Sequence, residues 1–254
     1  MIEALATTAA LAATAAAGYF SMAPRSQTFG ATFIGTPGKG KKLALTYDDG
    51  PNGSQTTQLL DVLAAHGVKA TFFLIGKYVR EQPQVVQRLA FEGHAVGNHT
   101  FHHPNLIFST AAELRQEMED CERALADAGV KLGEGGARKL FRPPFGARRP
   151  KTLRVLRQLG YVPVNWSVTC YDWKATTAAR VEAHALRQVR GGDVILMHDG
   201  SHRKPGADRR HTVEATALLI RRYKEEGYEF VTVPEWLAAE ELGAEELGAK
   251  FPDP

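Results

Sequence analysis

Cysteine is nearly absent from this 254-residue sequence: Cys121 and Cys170 are the only two. Two thiols cannot build a disulfide framework or a four-thiolate metal site. They allow one bridge or two buried free thiols, and their positions do not choose between these. An excess of one charge is also missing, since 31 Lys and Arg against 28 Asp and Glu leave a formal net charge of +3. A dedicated nucleic-acid binder concentrates a basic stripe, so no nucleic-acid partner is expected. Internal repeats are not evident.

Long apolar runs are confined to one place. Residues 4–18 are almost entirely Ala, Leu and Thr, and Tyr19 and Phe20 extend the run. The stretch is about long enough to cross a bilayer, but Ala and Thr drive insertion only weakly. It lacks the positive n-region of a secretory signal, although Ala15-Ala16-Ala17 offers a small-residue cleavage pattern. Residues 1–20 therefore read as a signal-like or membrane-anchor segment, with a packed or frayed Ala-rich helix as the alternative. An extracytoplasmic, secreted or anchored protein is expected. Residues 21–40, rich in Gly, Pro and basic side chains, read as a linker or covering loop.

What is plentiful is ordinary core material: 44% hydrophobic and 23% charged residues fit a soluble globular chain. From 41 to 233, short β-rich runs alternate with helical patterns. Strands are expected at Leu43–Tyr47, Ala70–Ile75, Ala95–Asn98, Lys139–Arg142, Tyr161–Val168, Asp193–Met197 and Glu229–Val233. The clearest helix runs from Thr110 to Ala128. Thr110 and Glu113 fit a capping box there, and Leu114, Met118, Cys121 and Leu125 recur on one face. Residues 234–254 read as an acidic amphipathic tail. Seven strands separated by helices imply parallel pairing and an α/β fold, either a TIM-like (β/α) barrel or an open doubly wound sheet. Both bind ligands at the carboxyl ends of the strands.

Polar residues gather at those ends. Asp48 and Asp49 follow the first strand, and His99, His102 and His103 follow the third. Arg142 closes the fourth, Asp172 and Trp173 follow the fifth, and His198 and Asp199 follow the sixth. Two imidazoles plus one carboxylate form a three-ligand set for Zn²⁺ or a similar divalent ion. Spacing alone leaves His102 and His103 as rivals for the second imidazole. Adjacent carboxylates repel, so a metal on one and Arg142 near the other would compensate them. One Asp is then a ligand and the other a general base for a water that the ion activates. Arg142-Pro-Pro-Phe-Gly146 is a stiff turn able to aim the Phe145 amide at a developing oxyanion. His198, ending an apolar strand, has the chemistry of a general acid, and Asp172 is a natural charge partner for it or for Arg142. Trp166 and Trp173 divide between core packing and sugar stacking.

Taken in order, Thr46-Tyr-Asp-Asp-Gly50, His99-Thr-Phe-His-His103, Arg142-Pro-Pro-Phe-Gly146, Asp172-Trp173 and Leu196-Met-His198 resemble the motifs of the polysaccharide deacetylases. This is carbohydrate esterase family 4, or the NodB homology domain, and the resemblance spans about 41–233. It implies a distorted (β/α) barrel of about seven strands and metal-dependent removal of acetyl groups from a saccharide. By resemblance Asp48 is the base, and Asp49, His99 and His103 hold the metal, most naturally Zn²⁺ with Co²⁺ or Ni²⁺ as alternatives. Arg142 orients Asp48, the Phe145 amide helps bind the oxyanion, Leu196 lines the acetyl pocket and His198 is the acid tuned by Asp172. Tyr47 and Trp173 join the substrate-binding set. An acetylated polysaccharide or oligosaccharide is the expected partner, peptidoglycan or chitin-like, and a monomer is expected. The chain departs from the family pattern at Thr169, where many members carry Asp, and at Tyr47, where Phe is usual. O-acetyl ester hydrolysis on a xylan-like polymer and a non-catalytic saccharide-binding barrel are the competing readings. A non-haem iron oxygenase also uses two His and a carboxylate, but nothing in the chain anchors its cosubstrate.

Overall fold

The computed structural model describes residues 14–250. Residues 4–13 of the Ala-rich run lie outside the described residues, while 14–22 form a helix, α1. Among the described residues no helix is long and apolar enough to cross a membrane.

The sheet is built around β1 (Lys42–Gly50), flanked on one side by β2 (Thr71–Leu74), β3 (Ala95–Asn98), β4 (Lys139–Phe141) and β5 (Tyr161–Pro163). On its other side lie β7 (Asp193–His198) and then β6 (Val168–Thr169). Every pairing is parallel, as crossover connections require. A two-residue strand, β8 (Glu229–Phe230), pairs with Lys42 and Leu43, below the point where β2 joins β1 at Thr46. The expected barrel forms as a curled parallel sheet with helices outside it. They are α2 (Gly53–Ala65), α3 (Gly76–Glu81), α4 (Pro83–Phe91), α5 (Ala111–Asp127), α6 (Pro150–Gln158), α7 (Ala178–Gln188) and α8 (Arg210–Glu225).

Alternation along the strands sorts side chains onto two buried faces. Leu43, Leu45 and Tyr47 of β1 join Ile195 and Met197 of β7 in the cluster under the helices. Ala44, Phe73, Leu140, Val194 and Leu196 point the other way and fill the barrel interior. Above that interior plug, at the carboxyl ends, the same inward columns continue as Asp48, Arg142 and His198.

The single strand expected over Tyr161–Val168 is instead two strands at opposite edges, β5 and β6, with residues 164–167 crossing between them. A curled sheet brings its edges close enough for one extended segment to serve both, and local β pattern cannot report which neighbour each half pairs with. The chain before β1 helps close this seam: Phe33 N–H donates to Pro163 O, Asn165 N–H to Phe33 O and Thr36 N–H to Gly192 O, each at 2.8 Å. Arg25 also donates to Ser167 O, and buried Arg148 donates to the carbonyls of Ala23 and Pro24. Short α3 gives no periodic signal in the sequence. It packs its Gly76 so near the Cys121 backbone that a Cβ there would sit 2.8 Å from Cys121 Cα. The α5 capping box forms as expected, with Leu114, Met118, Cys121 and Leu125 buried. Cys121 and Cys170 are both free and buried. After β8, α9 (Val233–Lys250) begins with Trp236 packed into the interior cluster.

Candidate active site

A regular strand sends neighbouring side chains to opposite faces, so Asp48 and Asp49 should not share a pocket. The register between β1 and β2 slips between Asp48 and Gly50, leaving Asp49 as an extra residue. Asp49 adopts φ 71°, a left-handed conformation that non-glycine residues rarely take. This bulge turns the second carboxylate back beside the first, and both line one cavity of about 550 Å³. His103 and Phe145 line the same cavity and are also left-handed, at φ 65° and 60°. Such conformations cost about 1 kcal/mol or more each and cluster at functional sites.

Arg142 is fully buried and spends every nitrogen on fixed partners. Nη1 donates to Asp48 Oδ1 at 2.7 Å and Thr46 Oγ1 at 2.8 Å, while Nη2 and Nε donate to the carbonyls of Asn165 and Val164. Its guanidinium also lies 4.1 Å from the Phe73 ring centroid, a cation–π contact inside the barrel. One oxygen of Asp48 is thereby pinned and the other faces the cavity, 3.8 Å from His99 Nε2.

Asp49 Oδ1 is buried without a hydrogen-bond partner, 3.3 Å from His103 Nε2 and 3.7 Å from His99 Nε2. Ligands placed about 2.0–2.1 Å from a tetrahedral ion lie roughly 3.3–3.4 Å apart, so these three atoms have the spacing of a ligand set. His99 Nδ1 lies 2.7 Å from the Arg142 carbonyl, which can only accept, so Nδ1 carries the proton and Nε2 offers a lone pair. Burial lowers the pKa of both rings, that of His103 to about 2, and keeps them neutral as ligands must be. Burial would raise the Asp49 pKa, but the hydrogen bond from His202 and attraction to His198 across the cavity hold it below the usual carboxylate range. The residues present therefore fit a divalent ion. Structure also separates His103 from its rival: His102 turns away to Glu117, with Nδ1 2.8 Å from Oε1.

Across the cavity, His198 Nδ1–H donates to Asp172 Oδ1 at 2.9 Å, and the His198 backbone N–H donates to Oδ2 at 2.7 Å. Burial lowers the imidazole pKa, yet the fully buried Asp172 carboxylate outweighs that and pushes it up to about 9. The Asp172 carboxylate thus favours the protonated form of His198. Trp173 stands edge-on to it at 5.0 Å, and Leu196 lines the cavity below. The turn at Pro144–Gly146 closes through Gly146 N–H to Pro143 O and Ala147 N–H to Pro144 O, bonds that do not use the Phe145 amide. Gly146 is required there, since a Cβ would meet the Trp166 ring at 2.9 Å and φ is 67°.

One sequence expectation changes. Tyr47, expected at the substrate, points to the helix side, fully buried, with its hydroxyl 2.8 Å from Thr216 Oγ1. Strand alternation dictates this, because Tyr47 precedes an inward-facing Asp48. Thr169 does not line this cavity; its hydroxyl accepts the Trp166 indole N–H, and Asp172 supports His198. A further residue at the site, His202, carries only a weak sequence signal. His202 donates its backbone N–H to Asp49 Oδ2 at 3.1 Å and stacks on His103 with centroids 4.2 Å apart. Its position four residues past His198 in the same loop was the available signal. Asp199 is buried outside the cavity lining, accepts from Thr56 Oγ1 at 2.6 Å, and burial pushes its carboxyl up to about 7.

A curled parallel barrel with a carboxylate and two imidazoles converging at its carboxyl rim defines the class of metal-dependent (β/α)-barrel hydrolases. The polysaccharide deacetylase family profile matches residues 35–164. A peptidoglycan-N-acetylglucosamine deacetylase of Bacillus cereus is 37% identical over 193 residues, 76% of this chain and 67% of that protein. A chitooligosaccharide deacetylase of Bradyrhizobium is 35% identical over 203 residues, covering 77% of this chain and 90% of its own length. Among solved structures, a peptidoglycan N-acetylglucosamine deacetylase in complex with 4-naphthalen-1-yl-N-oxidanyl-benzamide aligns with a TM-score of 0.73 at 35% identity. That match covers 81% of this chain and 91% of the other. The chain belongs to the polysaccharide deacetylase family.

Proposed function

We propose that this protein removes N-acetyl groups from N-acetylglucosamine units of a polysaccharide, peptidoglycan or chitin-like. The observation that carries the reading is the β1 bulge, which puts Asp48, pinned by Arg142, beside an orphaned Asp49 oxygen facing two imidazoles. Names of the related deacetylases point the same way. Asp49, His99 and His103 are the residues that would hold the ion, and the mixed carboxylate–imidazole set favours Zn²⁺, with Co²⁺ or Ni²⁺ as substitutes. When bound, the ion supplies Lewis-acid polarisation of the acyl oxygen and lowers the pKa of a nearby water.

Asp48 takes a proton from the attacking water, and Arg142 keeps its other oxygen from turning away. The Phe145 amide is the donor aimed at the acyl oxygen as negative charge develops there. His198, its protonated form favoured by Asp172, gives its proton to the amine nitrogen as the C–N bond breaks and acetate departs. Leu196 packs against the acetyl methyl and Trp173 offers a face to the sugar ring. The catalytic unit is assigned to 41–233, acting outside the cytoplasm as a monomer. Residues 1–20 are assigned as a signal or anchor-like segment, 21–40 as a linker or covering loop and 234–254 as a tail.

Acetate release from a panel of acetylated glycans, wild type beside Asp48→Asn, tests the reading. Wild type should release acetate in a chelator-sensitive way, and the variant should lose about 10²–10⁴-fold in rate. Retained activity in Asp48→Asn would remove the base from the mechanism. Purified protein that holds no divalent metal and releases no acetate would favour the saccharide-binding barrel.

A further inference from the structure

Beside the catalytic cavity runs a second surface that the chemistry above does not use. One groove, of about 370 Å³, lies along the β6 edge between Arg25, Arg187 and Arg190; another, of about 500 Å³, continues between Lys174, Arg180 and Arg187. Arg187 lines both, so they form one path along α7.

The path borders the catalytic cavity at two places. Trp166 lines the first groove and the cavity alike. Tyr171 lines the second, with its ring 5.4 Å from Trp173, which in turn stands 5.0 Å from His198. Tyr171 and Trp173 are both about 40% exposed, an open aromatic shelf between the groove and the proposed acid.

Charge distinguishes this path. Arg25, Lys174, Arg180, Arg187 and Arg190 are exposed, and no carboxylate lines either groove among the described residues. None of the five makes an ion pair there, although basic residues elsewhere do: Arg88 with Asp61, Lys139 with Glu122, Arg210 with Asp208. The carboxylate that α7 does carry, Glu182, turns to Arg222. Buried Asp193 is consumed by the Ser167 hydroxyl and the amides of Arg190 and Gly191. Arg25, Arg187 and Arg190 do hydrogen-bond, but only to uncharged acceptors, the Ser167 carbonyl, the His184 ring and the carbonyls of Val189 and Arg187. Five cations without a carboxylate partner on one face of a chain with a net charge of only +3 create a local anion-attracting field. The flanking aromatic shelf suits a sugar ring.

We propose that this path is an extended subsite for the glycan strand leaving the deacetylation site, and that it recognises carboxylates borne on that strand. The inference rests on the deacetylase reading for which sugar of the strand loses its acetyl group, and it narrows the substrate class to acidic glycans. Neutral N-acetylglucosamine oligomers would occupy the catalytic cavity without the benefit of the path.

The test uses three probes of equal length: a peptide-free strand alternating N-acetylglucosamine with its lactyl-carboxylate ether, the same strand with carboxylates converted to amides, and a neutral N-acetylglucosamine oligomer. Calorimetric binding and acetate release are measured for the full chain and for Arg180→Glu/Arg187→Glu, with Arg180→Gln/Arg187→Gln as a milder pair. Wild type should bind the acidic strand more tightly than the amidated one, and added salt should erase the difference. The Glu pair should weaken acidic-strand binding roughly tenfold, the Gln pair less, with neutral-oligomer binding and kcat unchanged. Equal wild-type affinity for acidic and amidated strands overturns the inference, as does an equal loss on acidic and neutral probes. Charge-dependent binding without acetate release would instead sink the deacetylase reading and leave the subsite standing.

Discussion

Asp48 and Asp49 differ in what holds them. Asp48 has one oxygen fixed by an arginine that is itself fully coordinated, so its free oxygen cannot rotate out of reach. Asp49 gives Oδ2 to the His202 amide and leaves Oδ1 bare, which is how a ligand differs from a base. His198 is the third distinct environment, an imidazole whose protonated form is favoured by the carboxylate behind it. An amide expels a poorer leaving group than an ester, so loss of that proton should be unequal in its effect. His198→Ala is expected to slow amide hydrolysis by about 10²-fold or more and ester hydrolysis much less. Parallel assays on N-acetyl and O-acetyl substrates check this; equal losses would count against His198 as the acid.

At the scale of elements, the proposed ion site depends on α5 as much as on β3. The loop carrying His99 and His103 is held by one α5 side chain: Glu117 Oε2 accepts the backbone N–H groups of Phe101 and His102. Glu117 also takes the His102 ring, which removes the rival imidazole from the site. Thr110 and Glu113 cap the helix that presents this carboxylate, so a capping box seen in the sequence has a consequence about ten residues away in the loop. Glu117→Ala should weaken divalent-ion binding roughly tenfold while leaving the ligands untouched. Titration with Co²⁺, followed by its visible absorption, measures this directly. An unchanged affinity would show that the loop holds its shape without Glu117.

For the whole molecule, pH acts on stability through groups far from the cavity. His94 is buried at the amino end of β3, where its Nδ1 accepts the Ala70 N–H at 3.1 Å. Burial, assisted by Lys69, lowers its pKa from 6.5 to about 4. The unfolded chain therefore takes up this proton first as pH falls, and native stability declines between about pH 6.5 and pH 4. The full shift corresponds to about 3 kcal/mol before solvent screening trims it. His94→Gln should flatten that slope, seen by urea unfolding at pH 7.5 and pH 5; an unaltered slope would exonerate His94.

Strand ends, the α5 face and the five-motif order were legible in the sequence because each depends on local periodicity or on residue types a few positions apart. The sequence by itself determined the parallel α/β class and an acidic pair and histidine cluster able to hold an ion, while choosing Asp49 over Asp48 and His103 over His102 as the candidate ligands needed family likeness. Two matters waited for tertiary structure: the bulge that turns Asp49 inward and the division of 161–168 between two sheet edges. Each depends on which strand lies alongside and in what register. That information belongs to pairs of segments far apart in the chain, so no pattern within one segment can carry it.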